Sequence, residues 1–278
     1  SNRGRFSRYM ELVYRTIRVI QSRKPGVVFC QNPSIVLSFL VVLFKPLFGY
    51  RAVIDEHNAG LYPCEGRYRS LSALARVIVR RADLVIVSND RLADVCMKWN
   101  GNAVVVPDPL PYFEENVRKV AQDSGYKGKA GPLRVAFICT WADDEPYSEL
   151  IEAAKRFDQS QIYLRITGDP KGRVESKELP SNVHVTGFLP GREYATEIAK
   201  ADAVIVLTNR DNCLNCGAYE AVSLEKPGIL SDTEVLREYF SGGFCFTKSE
   251  ADGIAESLRE LISGYERWVK EVKELKAK

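Results

Sequence analysis

Cys213 and Cys216 stand in a C-x-x-C spacing, and Gly217, Ala218 and Glu220 follow at once. Two kinds of chemistry suit such a run. Paired thiols hold a metal or carry electrons, whereas a glycine and a carboxylate at a helix start hold phosphate and ribose. A structural zinc site takes four Cys or His ligands, often a second C-x-x-C pair or two histidines. No such set stands at suitable spacing, so no metal site is expected. A thioredoxin-type pair opens a helix soon after a first strand, which is a different context. The phosphate chemistry fits better. An apolar strand pattern ends at Leu207, a polar loop runs from Thr208 to Asn215, and Gly217-Ala218 open a helix carrying Glu220. Unpaired amides at a helix start, with a glycine allowing close approach, suit a diphosphate. A glutamate one turn in accepts hydrogen bonds from ribose hydroxyls.

A second constellation is Asp55-Glu56-His57-Asn58. His57 is one of two histidines and follows an apolar strand pattern. An imidazole takes up a proton near neutral pH, and a well-placed carboxylate does the same. Asp55 and His57 are therefore the candidate acid–base groups. His184, inside the pattern Val183-His184-Val185, reads as structural. The acidic run Asp143-Asp144-Glu145 reads as a loop touching a ligand, or as the N-cap of a helix over 147–157.

Alternating strands and helices must position these groups. Short apolar strands are expected at 27–30, 52–55, 84–88 and 103–106, with helices near 34–47, 67–81 and 90–98. A second series places strands at 134–139, 163–167, 183–186, 203–207, 228–231 and 244–246. Its helices fall near 146–157, 192–199, 216–223, 233–239 and 250–276. Continuous apolar strands alternating with helices imply parallel sheets buried on both faces. The expected fold class is α/β, with two Rossmann-like domains facing a central cleft. The first spans 1–110, a Pro-, Gly- and charge-rich linker spans 111–131, and the second spans 132–278. Four strands are few for such a sheet, so a first strand from an upstream segment or a partner chain is expected. Ligands bind beyond the carboxyl ends of parallel strands. Those ends carry Gln31-Asn32-Pro33, Glu56 to Gly60, Asn89-Asp90, Thr140 to Glu145, Gly168-Asp169-Pro170-Lys171-Gly172, and Thr208 to Gly217.

The 278 residues are 45% hydrophobic and 27% charged, which excludes disordered, collagenous and disulfide-built classes. Seven cysteines at irregular spacing, with no secretory signal, point to free thiols in a reducing compartment. The net charge of +3 is split, +9 over residues 1–130 and −6 over the rest. A basic half attracts phosphate on nucleic acid or on anionic lipid. It shows neither a helix-turn-helix nor an aromatic single-strand platform, so nucleic acid is not the expected partner. Residues 35–50 form the strongest apolar run. It is shorter than the roughly 20 residues a spanning helix needs, and Lys45-Pro46 interrupts it. It reads as a buried helix or as one that dips into a bilayer surface. Arg3, Arg5, Arg8, Arg15, Arg18, Arg23 and Lys24 precede it, opposed by Glu11 alone.

These residues resemble the nucleotide-sugar-dependent glycosyltransferases of the GT-B class. Glu220-Ala221, then Glu225-Lys226-Pro227 and Gly228-Ile229-Leu230, match the second half of their donor-loop motif. The first acid of that motif falls on Asn212, with Asp211 beside it. Gln31-Asn32-Pro33, Asp55-x-His57-Asn58 and Thr140-Trp141-x-Asp143-Asp144-Glu145 are similar to one branch of the class. That branch holds the β-1,4-mannosyltransferase of the dolichol pathway and bacterial polysaccharide glycosyltransferases. The resemblance covers roughly residues 25–262. It implies a donor site made of Thr140, Trp141, Gly168, Lys171, Asn209, Asp211, Asn212, Cys216, Gly217, Ala218 and Glu220. It also implies an acceptor side carrying Asn32 and Asn58, with Asp55 or His57 near the acceptor hydroxyl. The class's glycine-rich loop after the first strand is not visible, and Lys171 stands in for its usual basic residues. The implied co-substrate is a nucleotide-diphosphate sugar, UDP or GDP, with no other cofactor. The implied acceptor is a saccharide, lipid-linked, reached by peripheral contact with an anionic membrane at its cytoplasmic inner face. Two rivals stay open: a nucleotide-sugar 2-epimerase, which needs no acceptor, and a non-catalytic subunit completed by a partner chain.

Overall fold

The computed structural model describes residues 5–32, 34–126 and 131–278. Arg3 of the basic run, Pro33, and residues 127–130 of the expected linker lie outside the described residues. The chain divides into two compact units, Ser1–Asp108 and Pro109–Lys278.

In the first unit α1 (Arg5–Arg23) leads to β1 (Val27–Asn32), α2 (Ile35–Phe48) and β2 (Arg51–Glu56). There follow the short α3 (Asn58–Leu61), α4 (Arg69–Arg81), β3 (Leu84–Val87), α5 (Asp90–Lys98) and β4 (Ala103–Val105). The strands form one parallel sheet in the order β1-β2-β3-β4. Its register sets Gln31 beside Asp55 and Asn32 beside Glu56. Ile54, Ile78, Val79, Val85 and Leu92 close the core between sheet and helices. The helix α1 was not expected. Its signal is the spacing of Met10, Val13, Ile17 and Ile20, one face of a 3.6-residue period, which the density of arginines masks.

The second unit opens with α6 (Glu115–Asp123), then β5 (Leu133–Phe137), α7 (Tyr147–Ala154), β6 (Ile162–Thr167) and β7 (Val183–Gly187). It continues through α8 (Gly191–Lys200), β8 (Ala203–Val206), α9 (Cys216–Ser223), β9 (Gly228–Ser231), α10 (Glu234–Tyr239) and β10 (Phe244–Thr247). The helices α11 (Ala251–Ser263) and α12 (Tyr265–Lys276) complete it, where one helix over 250–276 was expected; the break falls at Gly264. Six parallel strands run in the order β10-β9-β8-β5-β6-β7. All four residues of β8 and of β9 are buried, as strands covered on both faces require. One core cluster gathers Phe137, Leu150, Ile166, Ile254 and Leu258, and another gathers Val204, Ala218, Val222, Leu230 and Val272.

The stretch expected as a linker contains α6, whose Val117 and Ala121 are buried in that second cluster. Lys226, the lysine of the Glu225-Lys226-Pro227 run, secures it from beneath. The ammonium donates to Ala121 O at 2.9 Å and Ser124 Oγ at 2.6 Å, and is 3% exposed. Burial lowers its pKa to about 8. This motif lysine therefore works as an internal tie for α6.

Candidate functional site

In the second sheet β5 has β6 on one side and β8 on the other, so the strand order reverses there. Such a switch point opens a crevice beyond the strand ends. The loops leaving β5 and β8, residues 138–146 and 207–215, flank it.

The β5 loop is organised around Glu145. Its carboxylate accepts from Thr140 N at 2.9 Å, Thr140 Oγ1 at 3.1 Å, Ala142 N at 2.8 Å and Cys139 Sγ at 3.4 Å. Trp141 sits between the two amides with a left-handed φ of 61°, which turns both toward one anion. The indole itself is 1% exposed. It packs on Tyr147 at 4.9 Å between ring centroids, and its N–H donates to Thr167 O at 3.0 Å. Of the two residues expected at a donor site here, Trp141 has its side chain buried and Thr140 stays exposed. The amide and hydroxyl of Thr140 are engaged by Glu145, and the Trp141 ring is packed in the core. The capping role expected for the acids is also absent: Pro146 caps α7 and no side chain bonds there. Asp143 pairs instead with Arg173 at 2.7 Å. Asp144 ties the two switch-point loops, accepting from Thr208 Oγ1 at 2.8 Å and lying 3.2 Å from Arg210 Nη2, while its carbonyl accepts from Asn209 N at 2.7 Å.

The β8 loop carries Asn209 and Asp211, both exposed, and the half-buried Asn212. It feeds α9, whose first residue, Cys216, is exposed. Asn215 stands at the N-cap and makes no side-chain cap bond. Gly217 and Ala218 are buried against the strand ends. A Cβ on Gly217 would lie 2.9 Å from Ile138 Cδ1 and 3.0 Å from Val206 Cγ2, so any larger residue would make those side chains shift. Glu220 is half-buried on the next turn, and Tyr194 of α8 donates to its Oε2 at 2.6 Å. Burial raises the Glu220 pKa, and the tyrosine bond opposes that rise.

The β6 loop adds Gly168 and Lys171. Gly168 has φ 83°, and a Cβ there would stand 2.3 Å from Cys139 O, so this residue must be glycine for the β5 and β6 loops to touch. Lys171 is exposed, in a turn closed by its amide donating to Asp169 Oδ1 at 3.0 Å.

In the first unit the ends of β1 and β2 bring the other predicted residues together. Gln31 Nε2 lies 3.1 Å from His57 Nε2, and Asp55 Oδ2 lies 3.7 Å from the same nitrogen. A neutral His57 accepts from the glutamine amide; a protonated one has Asp55 as its counter-charge. Asn58 is half-buried at the start of α3. Asn32 is wholly buried, and its Nδ2 donates to Glu56 Oε2 at 2.7 Å. Glu56 was not among the candidates. On β2 it shares the buried face of Ala52 and Ile54 and is 1% exposed. Burial pushes its pKa to about 8, against the lowering effect of Asn32 and with a further rise from Asp55. Asn32 Oδ1 and Glu56 Oε1 lack hydrogen-bond partners, and Gly60 packs over the pair. The signal available in sequence was a carboxylate in phase with buried positions of an alternating strand.

None of the seven cysteines forms a disulfide. Among the described residues no group of three or more His, Cys, Asp or Glu is placed to hold a metal ion.

Residues 130–275, just over half of the chain, match the family model described as glycosyl transferases group 1. The chain belongs to that family. A sequence comparison with curated proteins finds no match. Among solved structures, this glycosyltransferase is similar to HepE of Anabaena, solved in complex with UDP, at 15% identity and a TM-score of 0.76 over 96% of this chain and 76% of that one. It is similar to sucrose-phosphate synthase of Thermosynechococcus elongatus at 15% identity and a TM-score of 0.77, covering 96% and 71%. A UDP-forming trehalose-phosphate synthase of Burkholderia xenovorans matches at 12% identity and a TM-score of 0.70, covering 99% and 76%. At these identities the likeness is one of fold. The glycosyltransferase has the GT-B fold, two α/β units built on parallel sheets.

Proposed function

We propose that this glycosyltransferase moves a hexose from a nucleoside diphosphate sugar to a lipid-linked saccharide. In the transfer the bond from the sugar's anomeric carbon to phosphate breaks. Its electrons leave with the diphosphate, and an acceptor hydroxyl oxygen takes the carbon and gives up a proton. The observation that carries the donor half is Glu220. It is half-buried one turn into α9 at the switch point, on a helix whose start carries no side-chain cap. The α9 amides and Lys171 take the diphosphate, Glu220 takes the ribose, and Asp211 or Asn212 takes the sugar hydroxyls. HepE, solved with UDP-glucose, supports a UDP donor. The Asp55–His57 pair suits the acceptor hydroxyl, as a group that receives a proton beside a counter-charge.

The lipid link rests on the first unit. Val36, Leu43 and Leu47 stand exposed along one face of α2. Tyr9, Met10, Leu12, Tyr14 and Val19 stand exposed on α1, which also carries Arg15, Arg18 and Arg23. Among the described residues no helix is long and apolar enough to cross a membrane. Apolar side chains beside arginines suit an anionic surface at the cytoplasmic face instead.

A thermal-shift panel of UDP, GDP, ADP and CMP tests the donor half. One nucleoside diphosphate is expected to stabilise the chain, by about 2.7 kcal/mol at a hundredfold excess over Kd. No shift with any of them would contradict the proposal. Consumption of a nucleotide sugar to its epimer without acceptor would favour epimerase chemistry. Flotation with anionic and with neutral vesicles at low salt tests the membrane; absence from the anionic vesicles removes the lipid-linked acceptor.

A further inference from the structure

Tyr194 is the side chain that holds Glu220. It lies on α8, its ring packed against the cluster that also buries Ala218 and Val222 of α9. Its hydroxyl donates to Glu220 Oε2 at 2.6 Å, a short, charge-assisted bond. Burial, and then the Glu220 charge, push the phenol's pKa far above the usual tyrosine value, so the hydroxyl stays a donor throughout the neutral range. Glu220 hangs on a flexible stem, and a carboxylate held by nothing else turns about its last bond. With Oε2 held by the hydroxyl of a ring packed on the core, the carboxylate has a preferred orientation, which directs Oε1 and its lone pairs.

We propose that Tyr194 is a positioning residue that orients Glu220 toward the donor ribose and sets the preference for ribonucleotides over 2′-deoxyribonucleotides. The proposal rests on the assignment of Glu220 to the ribose. An oriented acceptor discriminates because the analogue lacking the hydroxyl leaves a half-buried carboxylate oxygen unpaired. A mobile one turns away to solvent and discriminates little.

The substitution is Tyr194→Phe, which keeps the ring and removes only the hydroxyl. Calorimetric titration would compare wild type, Tyr194→Phe and Glu220→Ala against UDP and 2′-deoxy-UDP, and against GDP and 2′-deoxy-GDP. Wild type is expected to prefer the ribose form of its nucleotide by about tenfold or more, as one charged hydrogen bond allows. Tyr194→Phe should bind the ribose form about five- to tenfold more weakly, bind the deoxy form unchanged, and so lose most of the preference. In turnover it should raise KM for the donor with kcat unchanged, the mark of lost uniform binding. Equal weakening of both nucleotides, or a preference kept intact in Tyr194→Phe, would overturn the proposal. A wild type that binds both forms equally, with Glu220→Ala unaltered, would overturn the ribose assignment beneath it. The two failures are thus read from different proteins.

Discussion

Replacing Glu56 by Gln should make the protein more tolerant of alkaline pH. The native carboxyl is 1% exposed beside Asn32, and burial holds its pKa at about 8 against an ordinary 4.5. A carboxyl whose folded pKa is raised binds a proton in the folded state that the unfolded state has already released. Its stabilisation is complete below pH 4.5 and is lost as the pH rises through about 8. At about 1.4 kcal/mol per pH unit, the whole span has a ceiling of about 5 kcal/mol. Between pH 6 and 9 the loss comes to about 3 kcal/mol. Glutamine has the same shape, accepts from Asn32 Nδ2 and supplies an N–H for the unpartnered Asn32 Oδ1. It does not titrate. Urea unfolding followed by circular dichroism at pH 6 and pH 9 measures both proteins. The wild type should fall by about 3 kcal/mol relative to Glu56→Gln over that interval. Other titrating groups cancel in the difference. Curves that move in parallel, within about 0.5 kcal/mol, would refute a neutral Glu56 in the folded state.

Three further outcomes concern a loop glycine, the switch-point loops and the thiols. Gly168→Ala places a methyl 2.3 Å from Cys139 O at a left-handed φ, and should cost about 2–4 kcal/mol in a chemical melt; a loss under about 0.5 kcal/mol would contradict the close approach. A double-mutant cycle of Asp144→Asn and Thr208→Val should give a coupling of about 1–2 kcal/mol, because their 2.8 Å bond joins the two switch-point loops; additivity would remove that tie. Iodoacetamide should label the exposed Cys64 and Cys216 first and leave Cys213 slow, since burial lifts that thiol to about 11. Equal rates at Cys213 and Cys216 would revive a reactive pair.

The alternation of apolar strands and helices made both sheets legible, because β8 and β9 are unbroken runs of apolar or small residues buried on both faces. The strand ends were legible for the same reason, and with them Asp55 and His57 at the end of β2 and the loop that leads from β8 into the helix carrying Gly217 and Glu220. What the sequence could not show was pairing across elements. Glu145 reads as a helix cap until the loop folds back and gives it the amides of Thr140 and Ala142. Trp141 reads as a ligand contact until Tyr147 and Thr167 enclose it. Tyr194 sits 26 residues from Glu220, and nothing along the chain links them. Helix α6 lies in a stretch whose prolines and glycines suggest coil, and only the burial of Val117 and Ala121 on the second unit explains it.

The start of α9 and Glu220 are proposed to hold the diphosphate and ribose of the donor. Calorimetric titration compares wild type and Glu220→Ala with the nucleoside diphosphate that stabilises the chain. Loss of one or two hydrogen bonds to a charged acceptor predicts an affinity about 10- to 100-fold weaker in Glu220→Ala. An unchanged Kd would mean that Glu220 does not touch the bound nucleotide.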